Sequence, residues 1–111
     1  MTAVNQDFEM YQGNSKKIFI SVIDDDNQPL DLTGCTIRWG VRKKEKSTDN
    51  LVLKETPDIT TSDNLISIEL KPSDTSELPG GKYYHECKII DVTGNASTVS
   101  VGMLTIDRSG L

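Results

Sequence analysis

Two stretches of this chain alternate apolar and polar residues so strictly that few folds can accommodate them. In Cys35-Thr36-Ile37-Arg38-Trp39-Gly40-Val41-Arg42, the residues Cys35, Ile37, Trp39 and Val41 point one way, and Thr36, Arg38 and Arg42 the other. From Tyr83 to Ile89, Tyr83, His85, Cys87 and Ile89 oppose Tyr84, Glu86 and Lys88. Successive side chains of an extended strand face opposite sides, so a two-residue period marks a half-buried antiparallel strand.

The same period recurs along the chain. Lys17 to Ile23 places Ile18, Ile20 and Val22 on one face, and Leu65 to Leu70 places Ile66, Ile68 and Leu70 there. Leu51-Val52-Leu53 is a short strand after the polar loop from Lys43 to Asn50, and Phe8 to Tyr11 is a short first strand. Val99, Val101, Leu104 and Ile106 mark a last strand whose phase slips at Gly102-Met103, which predicts a β-bulge there. Asp25-Asp26-Asn27-Gln28-Pro29 and Thr93-Gly94-Asn95 are turn sequences, with Asn27 suited to a left-handed backbone. One helical turn is expected from Pro72, capped by Ser73 or Asp74 and ended by Pro79-Gly80-Gly81. About seven strands at roughly ten-residue spacing predict an all-β antiparallel sandwich of the immunoglobulin-like kind. With 111 residues, there is room for a single domain, 1–111.

Composition narrows the function. A formal net charge of -5 argues against nucleic acid as a partner, because phosphate contacts need a basic face. No apolar run reaches membrane-spanning length, and the first ten residues lack a basic segment followed by an apolar one, so synthesis in the cytoplasm is expected.

Each candidate for chemistry has a plainer structural role. His85 and Cys87 lie two apart on a core-facing register, where a histidine is held by hydrogen bonds and a thiol is inert. Cys35 and Cys87 share inward parity, and the strands carrying Trp39 and Tyr83 are expected to be sheet neighbours. Whether the two thiols pair stays open. Asp24, Asp25, Asp26, Asn27 and Asp31 cluster oxygens that suit calcium but lack the glycine and distal glutamate of an EF-hand, so a solvated acidic turn is the simpler reading. Arg42-Lys43-Lys44-Glu45-Lys46 is basic but has no interleaved aromatics, as expected of a hairpin tip. Pro79-Gly80-Gly81 leads into a strand and is no phosphate cradle, and Asn95-Ala96-Ser97 matches a glycosylation acceptor that means nothing without secretion. No catalytic, cofactor or metal set emerges, so a non-enzymatic role without cofactor is expected. Aromatic residues make up only 5%, which weakens a sugar-binding platform, although Tyr84, Tyr11 and Phe8 remain unplaced.

Three segments resemble immunoglobulin-like domains of bacteriophage virion proteins. They are Phe8 to Ser15, the hairpin Asp24-Asp25-Asp26-Asn27-Gln28-Pro29-Leu30-Asp31-Leu32-Thr33-Gly34-Cys35-Thr36-Ile37, and the crossover Leu70 to Tyr83 followed by Asp91-Val92-Thr93-Gly94. The nearest family is the N-terminal domain of phage baseplate upper proteins. Asn14 and Asn27 stand where that family often has aspartate and glycine. The family continues into a helical, receptor-attaching region, whereas this sequence ends at Leu111, which on that resemblance implies an isolated module.

The resemblance implies a virion structural or assembly protein of tail, baseplate or capsid surface. Its partners would be other phage structural proteins, with assembly in symmetric copies expected. A carbohydrate- or receptor-binding sandwich is the alternative. Docking is expected at sheet edges, near Phe8 or along the last strand from Ser97 to Asp107. Tyr83, after Leu78-Pro79-Gly80-Gly81-Lys82, resembles the tyrosine corner of such sandwiches, its hydroxyl expected to bond backbone near Asp74.

Overall fold

The computed structural model describes residues 4–44 and 46–108. Among them the elements are β1 (Val4–Asn5), β2 (Phe8–Tyr11), β3 (Lys16–Ser21), β4 (Thr36–Arg42), β5 (Asn50–Glu55), β6 (Thr60–Ser62), β7 (Leu65–Leu70), α1 (Pro72–Thr75), β8 (Gly81–Ile90) and β9 (Ala96–Asp107). The larger sheet runs β1-β9-β8-β4-β5, with β2 also paired to β9, and the smaller runs β3-β7-β6. The orders β9-β8-β4-β5 and β3-β7-β6 correspond to the G-F-C-C′ and B-E-D strands of an immunoglobulin-like sandwich. β1 and β2 run parallel to β9, and every other pairing is antiparallel.

The alternating stretches become the facing layers. Ile37, Trp39 and Val41 of β4 and Tyr83, His85, Cys87 and Ile89 of β8 are all buried, as are Ile18, Ile20, Ile66, Ile68 and Leu70 of the smaller sheet. Fully burying a large aliphatic or aromatic side chain stabilises by about 1.5–3 kcal/mol, so these two inner faces provide most of the driving force. β4 and β8 are neighbours, as expected, with Trp39 opposite Cys87.

Three local expectations need correction. There are nine strands among the described residues, because β1 is two residues long and β6, Thr60-Thr61-Ser62, is polar and wholly exposed, so neither carries an alternating signal. The bulge in β9 lies at Val99, not Gly102-Met103. Cys87 pairs with Ser100 and Lys88 with Thr98, so Val99 is the extra residue, and Val99 and Ser100 are both buried while Val101 turns outward. Gly102 stays in regular register opposite His85, and its missing side chain has another cause: a Cβ there would collide with the Gln6 carbonyl. Lastly, the helical turn is capped by Lys71, whose backbone N–H donates to Asp74 Oδ2 at 2.7 Å, and not by Ser73 or Asp74. Proline at the first helical position needs no donor, which fits Pro72.

The crossover ties the layers together. Thr75 is buried and its Oγ1 accepts the Gly13 N–H at 2.9 Å, while Gln12 Nε2 donates to the Leu78 carbonyl at 2.7 Å. Lys54 of β5 pairs with Asp74 at 2.8 Å, both half-buried, and binds the sheet edge to the helical turn. The Tyr83 hydroxyl donates at 2.6 Å to the Pro79 carbonyl, four residues upstream, rather than near Asp74. The corner is tighter than expected because the chain turns back at Pro79-Gly80-Gly81 itself.

Tyr83→Phe is expected to lower unfolding free energy by about 1 kcal/mol in urea titration, the net value of one hydrogen bond. Gly102→Ala should cost about 1–3 kcal/mol by overpacking, with backbone shifts concentrated in residues 4–8 when followed by NMR.

Candidate docking surface

His85 is fully buried on β8 and is locked in one tautomer. An indole N–H can only donate, so Trp39 Nε1, 3.3 Å away, donates to His85 Nδ1, and Nε2 must carry the proton that it donates to the Gln6 carbonyl at 2.6 Å. Phe8 covers the ring at a centroid distance of 4.9 Å, and Trp39 lies at 5.9 Å. Burial pushes the imidazole below its ordinary range, opposed by the Gln6 carbonyl and by the charge of Asp7. The histidine is a clasp between the central strands and the link from β1 to β2. Asp7 completes it by accepting the Met103 N–H at 2.8 Å.

The other candidates disperse. Cys87 is buried, and burial pushes its thiol up to about 12, which leaves it protonated and inert. Cys35 is half-buried, its thiol raised by burial and by the charges of Asp91 and Asp31, and both cysteines are free. In the β4–β8 register Cys35 lies beyond the pair Thr36–Ile90 while Cys87 opposes Trp39, which keeps the thiols apart along the strands.

The acidic turn spends its carboxylates on its own backbone. Asp24 Oδ1 accepts the N–H groups of Asp26 and Gln28, and Asp31 Oδ1 accepts both the N–H and the hydroxyl of Thr33. Asn27 takes the left-handed conformation, φ 59°, and Ile23 bridges Pro29, so the hairpin turn forms as expected. No group of three or more metal-ligating side chains occurs among the described residues. Asp91 organises the second turn in the same way, bonding Thr93 and Asn95, with Gly94 at φ 91°.

Within the basic segment, Arg42 pairs with Glu86 at 2.9 Å and lies 5.4 Å from the Tyr84 ring, and Lys43 sits over Tyr83 at 4.9 Å. Glu45 lies outside the described residues. Pro79-Gly80-Gly81 leads into β8, and Asn95-Ala96-Ser97 runs from a turn into β9.

With these groups accounted for, sheet edges remain as the interaction candidates. β9 is no edge, contrary to expectation, because β1 and β2 pair along it. The β1–β2 edge is interrupted where Gln6 turns its carbonyl to His85. β5 exposes Leu51 and Leu53, but its pairing with β4 shifts between Val41 and Arg42. Leu51 is then an extra residue, and bulges of this kind blunt an edge. β6 is three polar residues long.

β3 differs from all of these. It pairs with β7 over six consecutive residues without a shift, and Val22 N–H continues that ladder to the Asn64 carbonyl. Because bonding alternates along a strand, Lys17, Phe19 and Ser21 turn their backbone groups to the open side. In constant-type immunoglobulin sandwiches a first strand covers this edge, whereas here β1 and β2 lie in the other sheet. The side chain of Phe19 is 52% exposed. It borders a groove of about 520 Å³ on the outer face of the small sheet, lined also by Lys17, Thr60, Ser67, Glu69 and Lys71. Sequence reasoning passed over Phe19, whose only signal is an aromatic on the outward register between Ile18 and Ile20. Of the unplaced aromatics, Tyr11 is 58% exposed on β2 in the other sheet, so it forms no row with Phe19.

No protein-family model matches the chain, and no curated protein matches it either. A solved structure described as "GspB Siglec domain" is similar over 93% of this chain and 54% of its own, with a TM-score of 0.51 and 18% identity. The chain thus spans about half the length of that structure. The likeness supports the immunoglobulin-like sandwich and, at this identity, the fold alone.

Because the folded protein takes up the His85 proton only below the ordinary 6.5, the unfolded chain holds more protons just under that pH. Stability is expected to be intact above pH 6.5 and to fall below it, by at most about 1.4 kcal/mol per pH unit, until the lower folded-state value is reached. Urea unfolding between pH 7.5 and 4.5 checks this, with His85→Phe expected to flatten that limb. Asp31 and Asp91, whose carboxyls are lowered by hydrogen bonds within their turns, act below pH 3.8 and do not confuse the result.

Proposed function

We propose that this chain is a non-catalytic docking module of a bacteriophage particle, carried in the tail, the baseplate or the capsid surface. It engages larger virion proteins through the β3 edge and the outer face of the small sheet. The observation that carries this is the unbulged β3 edge, which no strand covers among the described residues, with Phe19 beside it. Such an edge can accept a neighbour's strand through main-chain hydrogen bonds, while exposed side chains next to it select the partner. The resemblance of the three sequence segments to virion domains supports the particle as its location, with assembly in symmetric copies. His85 and Cys87, the residues nearest to a catalytic pair, are absorbed into the core, which supports a role without chemistry.

A second reading is saccharide or receptor binding on the same face. The groove beside Phe19 favours it, since an exposed ring flanked by hydroxyl and charged groups suits a polar ligand with one apolar side.

Mass spectrometry of purified particles of a phage encoding this chain is expected to find it in fixed proportion to other virion proteins. A photo-crosslinking residue at Phe19 should capture one of those proteins, and the same residue at Leu51 should not. Absence from the particles overturns the virion role, and a glycan-array signal abolished by Phe19→Ala would establish the second reading.

A further inference from the structure

The ladder that β3 already makes on one side shows which side chains suit it on the other. β7 sets Ile66 and Ile68 opposite Ile20 and Ile18, Ser67 opposite Phe19, and Glu69 opposite Lys17. Apolar residues share the core face, while the outer face places a small group against the ring and a carboxylate across from the cation. Cross-strand pairs of this kind stabilise a sheet. The open edge presents the same β3 side chains from the other flank.

Charge discriminates among the strands that could add there. β3 carries two cations, Lys16 and Lys17, and no carboxylate. Lys17 is exposed and takes no part in the ion pairs among the described residues, which join Arg38 to Glu55, Arg42 to Glu86 and Lys54 to Asp74. A lysine in an edge strand deters indiscriminate pairing, and like charges directly opposite each other destabilise a ladder. An incoming strand also covers the lysine stem and takes water from the ammonium, which favours a carboxylate across from it. A second copy docking by its own β3 supplies none in any register, because the charges of that strand are all lysines.

We infer that β3 accepts an extended segment of another protein that sets a carboxylate opposite Lys17 and apolar residues on the face of Ile18 and Ile20. The segment bonds through the outward backbone groups of Lys17, Phe19 and Ser21. At Phe19 its N–H replaces the Gln6 side-chain amide, which donates to that carbonyl at 3.2 Å. Lys71 lines the adjoining groove as a second cation, with Lys54 held by Asp74. Asp58 and Glu69 line the groove too, so selection rests on the position opposite Lys17 and not on a broadly basic surface.

This inference rests on β3 being the docking edge, so the test separates the two. Two end-blocked synthetic peptides serve as probes. One is the chain's own stretch 64–71, Asn-Leu-Ile-Ser-Ile-Glu-Leu-Lys, and the other has lysine in place of its glutamate. Binding is read by NMR from the backbone amides at positions 17, 19 and 21, which face the open side. The wild type should bind the glutamate peptide at least about threefold more tightly than the lysine peptide. Lys17→Glu should reverse that order. Lys17→Gln, which sets no like charge against Glu69, should abolish the preference. Equal affinity of the wild type for both peptides, or an unchanged preference in Lys17→Gln, overturns the carboxylate selection and leaves the docking edge standing. Binding of neither peptide to any of the three proteins refutes the docking edge itself. Shifts of the same amides when the protein alone is concentrated make a second copy the occupant and overturn the inference.

Discussion

The antiparallel register of β4 against β8 governs this structure. Seven consecutive pairs, from Thr36–Ile90 to Arg42–Tyr84, set Trp39 against Cys87 and Val41 against His85, so the indole N–H reaches the imidazole. A slip of one residue would turn every one of these side chains to the other face. Trp39 and His85 would become exposed, and Arg38 and Arg42 would be driven inward without their carboxylate partners. The core, the histidine tautomer and the seating of the N-terminal strands all depend on this one alignment. β9 adds to it by pairing along β8, and Gly102, opposite His85, leaves the gap through which the Gln6 carbonyl approaches.

Much of the fold was legible because β4, β8, β3 and β7 each bury one face, and a half-buried strand must write its period into its sequence. The features that escaped notice lack that constraint. β6 is exposed on both faces and leaves no pattern, and β1 is too short to show one. Gly102 was read as a bulge because a glycine in a strand has two common causes, and only three-dimensional contact separates an inserted residue from a close backbone approach. The Lys71 cap was missed because its bond comes from a backbone N–H, which every residue but proline has. The β9 edge was misjudged for a different reason: strand order depends on pairings between residues nearly a hundred apart, such as Phe8 with Leu104.

The functional surface was less visible than the fold, for a physical reason. Catalytic and metal sites gather residue types that are expensive to hold together, so their signal survives in one sequence. A docking edge is made of main-chain groups that look alike everywhere. What distinguishes β3 is that, among the described residues, its outer side has no neighbouring strand and its pairing has no bulge, and neither property belongs to its own six residues. The polar groups that attract attention first, Asp24, Asp31 and Asp91, are engaged in local turns that reverse the chain.

The parallel pairing of the first strands with the last has a mechanical side. Val4 lies beside Ser100 and Tyr11 beside Asp107, so the chain enters at one end of the ladder and leaves at the other. Tension applied before Val4 and beyond Asp107 would draw the two strands along each other in opposite directions. The rungs between them would then share the load in shear instead of opening one after another like a zip. A sandwich strung into a larger assembly by its two ends would in this way resist pulling at the same seam that the buried histidine holds.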